Sequence, residues 1–244
     1  MSDSFPFDHA DPTLLLNNIA SALSHDVRTP LRHTTQFLEF YERELAAGNI
    51  EKAADYLAVV KESVVQSYAM IDGLIGYARV GRDLDPPENA DLEKLTQTAI
   101  DRVRLATEVE AIDFAFKGEA MVHGHHIQLL ELFYQVFENS VLFGRPEIQP
   151  KIRVRSRKTD GGLVITIRDN GPGLPESHHK MIFDLFHKIS HPNNPGGLGV
   201  GLSLARRIAE LHGGSLRVAE PSDDANARGL ALELILPAAI ESEA

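Results

Sequence analysis

The sequence predicts an α+β protein of two domains, a helical hairpin that forms a dimeric four-helix bundle followed by a two-layer α/β sandwich. Two long stretches with apolar residues at three- and four-residue steps come first and predict helices. Beyond them, helical patterns alternate with strands joined mainly by short turns, which favours a sheet covered by helices. We expect an N-terminal segment, a hairpin, a linker, a second domain and a tail over residues 1–12, 13–80, 81–89, 90–238 and 239–244.

The hairpin is predicted from two apolar seams. The first helix carries Leu16, Leu23, Val27, Leu31, Thr34, Leu38, Tyr41 and Leu45, and the second carries Leu57, Val60, Val64, Ile71, Leu74 and Ala78. Gly48 and Asn49 mark the turn between them. Helices of about 30 residues are about 45 Å long, and two such arms cannot cover seams of this width. We therefore expect a second copy of the chain to complete a four-helix bundle, which makes the protein a homodimer.

The second domain is predicted from mixed helix and strand patterns. Helices are expected near residues 92–108, 126–143 and 202–214, and strands near 112–117, 151–158, 163–169, 215–220 and 230–237. The sequence TDGG separates the two strands of a predicted β-hairpin. Polar, Pro- and Gly-containing residues 80–93 break the helical periodicity, so we place the domain boundary there.

Composition narrows the possible functions. The chain has 244 residues, of which 43% are apolar, so it can bury a core of substantial size. Its formal net charge of −11 argues against nucleic acid as the main partner, because binding there depends on neutralising phosphates. A local exception is the group Lys151, Arg153, Arg155 and Arg157, whose alternate spacing predicts one solvated face of a strand.

Membrane and thiol chemistry are also disfavoured. The chain has no cysteine, which removes disulfides and thiolate metal sites. No apolar run approaches the roughly 20 residues that cross a bilayer, so we expect no membrane segment in this chain. The first residues, MSDSFPFDHADP, lack the basic start and apolar stretch of a signal peptide. A cytoplasmic location is the expectation.

The stretch ALSHDVRTPLRH, residues 22–33, contains the first candidate for chemistry. His25 lies two residues from both Leu23 and Val27, so a regular helix turns it away from the seam and exposes it. A neutral imidazole has a ring nitrogen with a free lone pair, and Asp26 could accept the proton on the other nitrogen. Thr29 lies one turn later on the same face. A lone histidine in such a place is more often an ordinary surface residue.

Two glycine-containing stretches are candidates for nucleotide binding. DNGPGL begins with Asp169 at a strand end, and its carboxylate could accept the exocyclic amine of adenine. A plain turn is the alternative. GGLGVGLSLARRIAE places glycines directly before a helix, where backbone N–H groups and the helix dipole favour phosphate. These glycines follow a loop rather than the first strand of a βαβ unit, so a Rossmann site is excluded.

Two further stretches lie in the same predicted domain. IFDLFHKI contains Phe183 and Phe186 beside a Pro- and Asn-rich loop, which suits either core packing or a lid over a nucleotide. QVFENSVLF leaves Gln135, Glu138 and Asn139 as polar residues of an apolar helix. The amide oxygen of Asn139 is a donor suited to Mg²⁺, although a surface amide is the simpler interpretation of one such residue.

These five stretches resemble the sequence boxes of sensor histidine kinases. SHDVRTPL is similar to the phosphoacceptor box. The other four resemble the N, G1, F and G2 boxes of the histidine kinase/gyrase-type ATPase fold, which in chain order are QVFENSVLF, DNGPGL, IFDLFHKI and GGLGVGLSLARRIAE. The resemblance implies that His25 is phosphorylated, that Asp26 is a general base, and that Thr29 orients water during dephosphorylation of the partner. It also implies ATP and Mg²⁺ as cofactors, with Asn139 as the metal ligand.

The same resemblance implies roles for the nucleotide-binding residues. Asp169 would recognise adenine, Gly171 and Gly173 would shape its pocket, and Phe183 and Phe186 would belong to the lid region. Gly197, Gly199 and Gly201 would contact phosphates. We thus expect a kinase that phosphorylates His25 from Mg-ATP and transfers the phosphoryl group to an aspartate of a response-regulator receiver domain.

Pro30 lacks a backbone N–H, and the bend that it causes can loosen the turn holding His25.

Three features leave alternatives open. The resembled family often has Lys or Arg three residues after the Mg²⁺ asparagine, where this chain has Leu142, and Gln135 replaces a frequent asparagine. A catalytically weak scaffold or phosphotransfer module therefore remains possible, as does a related ATPase or protein serine kinase. The sequence HGHH, residues 123–126, could bind a metal, but strand-end histidines before a helix are the simpler interpretation.

Overall fold

The computed structural model describes residues 12–82, 84, 86–189, 197–219 and 229–237. The chain divides into two compact units, a first unit over Asp11–Arg79 and a second that begins at Val80. The first unit consists of helices and the short turn that joins its two arms where it is described, and the second combines helices with two β-sheets. The predicted fold class, a helical region followed by an α/β domain, is confirmed.

The first unit is a helical hairpin. Helix α1 covers Pro12–Ala22, a π-helical turn covers Leu23–Val27, helix α2 covers Arg28–Ala46, and helix α3 covers Ile50–Arg79. Between α2 and α3, Gly48 has φ +80° and the N–H of Asn49 donates to the carbonyl oxygen of Glu44 at 2.9 Å. The Glu44 carboxylate accepts from the Asn49 amide at 2.8 Å and from Lys52 at 3.4 Å, which fixes the turn.

The arms of the hairpin pack through residues that the predicted seam omitted. Phe37 and Phe40 of α2 lie 5.9 and 5.5 Å, between ring centroids, from Tyr56 of α3. By contrast, the leucines of the predicted first seam remain 41 to 66% exposed in the single chain, namely Leu16, Leu23, Leu31, Leu38 and Leu45. These five leucines therefore do not form the contact between the two arms, because the aromatic cluster fills that place.

A π-helical turn interrupts the first helix just before Pro30. The five exposed leucines are separated by seven, eight, seven and seven residues, and the turn lies in the eight-residue interval. A π-turn accommodates one extra residue within a helix. The sequence predicts that the bend at Pro30 loosens the turn holding His25. The helix continues through Pro30, and the irregularity lies in the turn that holds His25. This position is consistent with the proline ring, which crowds the carbonyl group four residues before it.

The second unit is a sheet covered by three helices. Strands β1 to β7 cover Glu88–Asp91, Asp113–Gly118, Met121–Gly124, Lys151–Thr159, Gly162–Asp169, Ser215–Val218 and Ala231–Leu236, and helices α4, α5 and α6 cover Leu92–Thr107, His126–Leu142 and Gly201–Leu211. The main sheet has the order β2-β4-β5-β7-β6. Strands β2 and β4 are parallel, and the other pairs are antiparallel.

The small sheet of β1 and β3 was not predicted. Each of its strands has only four residues, and β1 contains three polar or charged positions, so no alternation is visible in the sequence. The Asp91 side chain at its end accepts from the N–H of Lys94 at 3.1 Å and caps α4. The other predicted helices and strands are confirmed, with their ends shifted by a few residues.

The core lies between the helices and one face of the main sheet. Phe133 and Phe137 of α5 are fully buried, and Phe137 contacts Phe114 of β2 with ring centroids 5.9 Å apart. Strand β4 sends Ile152 and Val154 inward. Its alternate residues face outward, as the spacing of the four basic residues predicts.

The histidines of HGHH belong to β3 and to the start of α5. His123 lies in β3, and His126 begins α5. The backbone N–H of His125 donates to Nε2 of His212 at 3.0 Å, and Nδ1 of His212 lies 2.7 Å from the carbonyl oxygen of Ile208. Burial lowers the pKa of His212 to about 4, so this neutral ring bridges α6 to the start of α5. Within the described ranges, no group of three or more His, Cys, Asp or Glu side chains could hold a metal ion.

None of the described helices is both long enough and apolar enough to cross a membrane.

Candidate functional site

The helical unit exposes His25 in the π-helical turn. Its side chain is 86% exposed, and its Nδ1 lies 2.9 Å from Oδ1 of Asp26. The predicted exposure of His25 is thus observed. Because an ionised carboxylate can only accept a hydrogen bond, this contact favours the tautomer with the proton on Nδ1 and the lone pair on Nε2. Thr29 donates its hydroxyl to the carbonyl oxygen of His25 at 3.0 Å.

An open cavity of about 370 Å³ lies beside His25. It is lined by Ser24, His25, Arg28, Thr29 and Arg32. Within the residues that the structure describes, neither Arg28 nor Arg32 makes an ion pair. Two guanidinium groups without carboxylate partners, next to a nucleophilic nitrogen, form a surface suited to a phosphoryl group.

The α/β unit holds the Asp169 carboxylate in a fixed orientation. Its Oδ1 accepts from the N–H of Gly171 at 2.8 Å and from the N–H of Leu230 at 2.9 Å. Burial raises the pKa of Asp169, while these two bonds, the charge of Arg168 and the Ser140 hydroxyl act in the opposite direction. The two backbone bonds both end on Oδ1, so Oδ2 is the atom that suits an amine of a ligand.

The end of α5 brings three of the predicted stretches together. Asn139 is half-buried in the last turn of α5, one residue before Ser140. A Cβ atom at Gly171 would lie 3.6 Å from the carbonyl oxygen of Phe143, and one at Gly197 would lie 3.5 Å from its ring. The Asp169 stretch and the glycine-rich stretch therefore converge on the residues that follow Asn139.

The phenylalanine stretch joins the same group through Gly199. The N–H of Phe186 donates to the carbonyl oxygen of Gly199 at 2.8 Å. Gly199 has φ +74°, and a Cβ atom there would lie 2.6 Å from the carbonyl oxygen of His187, so only glycine fits. Phe183 and Phe186 are both buried, which places their rings in the core in this structure.

The remaining predicted residues lie beside the same elements. A Cβ atom at Gly201, the first residue of α6, would lie 2.7 Å from Oε1 of Gln135 on α5. Gly173, with φ +78°, lies close to Gly229. The structure thus groups the predicted nucleotide-binding residues in the α/β unit, while His25, Asp26 and Thr29 belong to the helical unit.

Sequence reasoning missed the residues that hold Asp169 from the last strand. Gly229 has φ +103°, and a Cβ atom there would lie 2.1 Å from the carbonyl oxygen of Asp169. This close approach lets the next N–H, of Leu230, reach the Asp169 carboxylate. A glycine directly before a strand is the signal that could have indicated this contact. Arg32 was also missed as a residue of the His25 cavity, although its four-residue spacing from Arg28 predicts a shared helix face.

Comparison with known families and proteins agrees with this geometry. Residues 124–240 match the family described as histidine kinase-, DNA gyrase B- and HSP90-like ATPase. The methanogenesis regulatory histidine kinase FilI of Methanothrix harundinacea (strain 6Ac) is 28% identical over 216 residues, which are 88% of this chain and 24% of that protein. The chain therefore resembles a sensor histidine kinase ATPase core.

Solved histidine kinase structures resemble this core. The mycobacterial sensor histidine kinase MprB is 26% identical, with a TM-score of 0.53 over 62% of this chain and 97% of that one. Histidine kinase ThkA, solved in complex with response regulator protein TrrA, has a TM-score of 0.59 over 93% of this chain and 63% of that one. Its identity of 16% supports the fold alone. The chain spans less than half the length of the first curated relatives that it matches.

Proposed function

We propose that this histidine kinase core transfers the γ-phosphoryl group of Mg-ATP to His25, and then passes it to an aspartate of a response-regulator receiver domain. The observation that carries the proposal is the environment of His25, an exposed imidazole with Nδ1 beside Asp26 and with two arginines nearby that make no ion pair with any described residue. The family of the ATPase domain supports the first half of the reaction. ThkA, solved in complex with a response regulator protein, supports the second half by analogy.

The first transfer requires few proton movements in this arrangement. Nε2 of His25 forms a bond to the γ-phosphorus while the bond from that phosphorus to the bridging oxygen of ADP breaks. The proton on Nδ1 of the resulting imidazolium can move to Asp26, 2.9 Å away, which leaves neutral phosphohistidine. Arg28 and Arg32 line the cavity beside His25 and would bind the phosphoryl oxygens. Catalysis here depends mainly on positioning and charge neutralisation.

The α/β unit would bind the nucleotide. Asp169 would accept the adenine amine, and the backbone N–H groups before α6 would bind phosphate oxygens. Asn139 fits Mg²⁺, because this ion usually takes one or two protein oxygen ligands together with phosphates. Bound there, the ion would supply charge neutralisation at the phosphates.

We also propose that two copies of the chain pair through the leucine stripe, defined as Leu16, Leu23, Leu31, Leu38 and Leu45. The five leucines lie at near-heptad spacing, and each is 41 to 66% exposed. They form a larger apolar stripe than a lone hairpin is expected to leave in water. Pairing of two hairpins through this stripe would produce the four-helix bundle that the sequence predicts.

The chemical identity of the phosphorylated product tests this function. Chain incubated with γ-labelled ATP and Mg²⁺ is expected to carry label that is lost in mild acid and kept in alkali. Protonation makes the phosphorus–nitrogen bond of phosphohistidine labile, whereas serine and threonine esters lack such a nitrogen and survive acid. Peptide mapping should find one modified peptide, which contains His25.

Two results would contradict the proposal. Acid-stable label on serine or threonine would indicate a protein serine kinase. ATP binding without any label would indicate a module that binds a regulator without kinase activity.

Thr29 gives a prediction for the dephosphorylation of the receiver domain. Thr29→Ala should leave labelling of His25 intact and slow dephosphorylation of a phosphorylated receiver domain by roughly tenfold or more, because its hydroxyl can align the attacking water. Thr35→Ala is the matched control, since Thr35 makes the same kind of bond, to Leu31 at 3.3 Å, away from the cavity. Equal dephosphorylation by the wild type and Thr29→Ala would exclude the role.

A second candidate function, a phosphotransfer module with weak kinase activity, is favoured by one residue. Leu142 is 39% exposed at the end of α5, three residues after Asn139. A cation at this place would face the proposed phosphate site, and an apolar side chain cannot replace it.

Leu142→Lys should therefore strengthen ATP binding. An exposed charge pair contributes about 0.5–1 kcal/mol, so we expect roughly a two- to fivefold lower dissociation constant by isothermal titration calorimetry. Leu105→Lys is the control, because Leu105 is 83% exposed on α4. An equal gain in both variants would show a general effect of positive charge rather than a contact at Leu142.

A further inference from the structure

The outer face of the main sheet is strongly basic in a protein that is acidic as a whole. The pairing of the strands places these basic side chains on that face: Lys117, Lys151, Arg153, Arg155, Arg157, Arg168 and Arg217. Only two carboxylates share it in the described strands, Asp113 and Glu233. The chain as a whole has a formal net charge of −11, so this face is a local reversal of sign.

Four of these cations make no ion pair with a described carboxylate. Asp113 pairs with Lys151 at 3.4 Å and with Arg153 at 2.6 Å, and Glu233 pairs with Arg217. The other four make no ion pair among the described residues, and we call them the basic face: Lys117, Arg155, Arg157 and Arg168. Lys117, Arg155 and Arg157 are exposed, and Arg168 is half-buried.

The arrangement has a cost for folding. Lys117 and Arg155 are direct cross-strand partners, and so are Arg153 and Arg168. Like charges directly opposite each other in a sheet are destabilising. The ion pair of Asp113 with Arg153 offsets the repulsion between Arg153 and Arg168. No described carboxylate offsets the repulsion between Lys117 and Arg155. Unfavourable local choices that folding does not require are typical of functional surfaces.

We infer that the basic face is a docking surface for a short acidic segment of a protein. Arg155 and Arg157 are alternate residues of β4, so they lie about 6.6–6.8 Å apart along the strand. An extended segment with carboxylates at alternate positions has the same repeat and can pair with each cation in turn. This contact is separate from the proposed phosphoryl transfer and does not depend on it.

The charge of the rest of the molecule favours a short segment over a larger polyanion. A nucleic-acid strand offers charges at a similar repeat, and an anionic membrane offers many. Both extend well beyond the Debye length of about 8–10 Å and would also meet the acidic remainder of the chain. A segment as long as β4, nine residues, can remain on the basic face.

The test measures binding of a labelled nine-residue peptide with Glu at alternate positions, at about 50 mM and about 500 mM salt. We expect Arg155→Glu/Arg157→Glu to weaken binding by about tenfold or more at low salt. The control Lys61→Glu/Arg82→Glu makes the same change in net charge at exposed positions outside the sheet and should bind like the wild type. A peptide with Gln for each Glu should not bind.

Other outcomes would overturn the inference. The inference fails if the acidic peptide does not bind, or if the two double variants weaken its binding equally. It also fails if duplex DNA or phosphatidylserine vesicles bind more tightly than the peptide. Circular dichroism of each variant checks its folding. If Arg155→Glu/Arg157→Glu is misfolded, Arg155→Gln/Arg157→Gln replaces it, and unchanged peptide binding by that variant also overturns the inference. His25 labelling is measured separately, so its failure does not affect this result.

Discussion

His25→Gln is expected to abolish phosphorylation of the chain by Mg-ATP while leaving its nucleotide affinity within about twofold of the wild type. The amide has no nucleophilic lone pair on nitrogen, so the loss of label should be complete. The affinity should persist because His25 belongs to the helical unit, whereas Asn139 and Asp169 belong to the α/β unit. Filter-bound label and calorimetric titration with a non-hydrolysable ATP analogue measure the two quantities on the same preparation.

His33→Gln is the matched control for this substitution. His33 is an exposed histidine of α2, eight residues after His25 and outside the cavity. We expect this variant to be labelled like the wild type. Label that persists in His25→Gln but disappears in His33→Gln would move the acceptor to His33.

Asp169→Asn is expected to weaken ATP binding by about a hundredfold and thereby to remove labelling of His25. The Asn oxygen can still accept the two backbone N–H bonds that now end on Oδ1. Its NH₂ group would then face the adenine amine, so a donor would meet a donor. Leaving a hydrogen-bonding site unpaired in this way costs several kcal/mol.

Asp160→Asn controls for the loss of one negative charge, because Asp160 lies exposed in the turn between β4 and β5. Thermal unfolding of both variants shows whether the fold is retained. If Asp169→Asn is folded and binds ATP as tightly as the wild type, Asp169 does not recognise the base.

Much of the fold was predictable because it depends on local periodicity. The apolar positions of α5 and the alternation in β4 indicate their elements directly, since each repeats over several turns or residue pairs. The two four-residue strands of the small sheet were not predictable, because their pairing joins residues 88–91 to residues 121–124 without an apolar pattern.

The candidate site was predictable in its residues but less so in its contacts. The role proposed for Asp169 comes from its sequence stretch, yet the carboxylate is oriented partly from Leu230, 61 residues away. Nothing in the local sequence around Asp169 carries that information. The aromatic contact of Phe37 and Phe40 with Tyr56 was missed for a related reason, because the leucine periodicity dominates the pattern and indicates the exposed stripe instead.

The π-helical turn has a consequence for the winding of the first helix. Rewinding Leu23–Val27 into a regular α-helix would turn everything before it by about 100° relative to α2, the rotation of one residue. Leu16 and Leu23 would then leave the line of Leu31, Leu38 and Leu45. The same change would carry His25 away from its present direction. The direction of His25 and the continuity of the leucine stripe are therefore two results of a single backbone irregularity, so neither can change without the other.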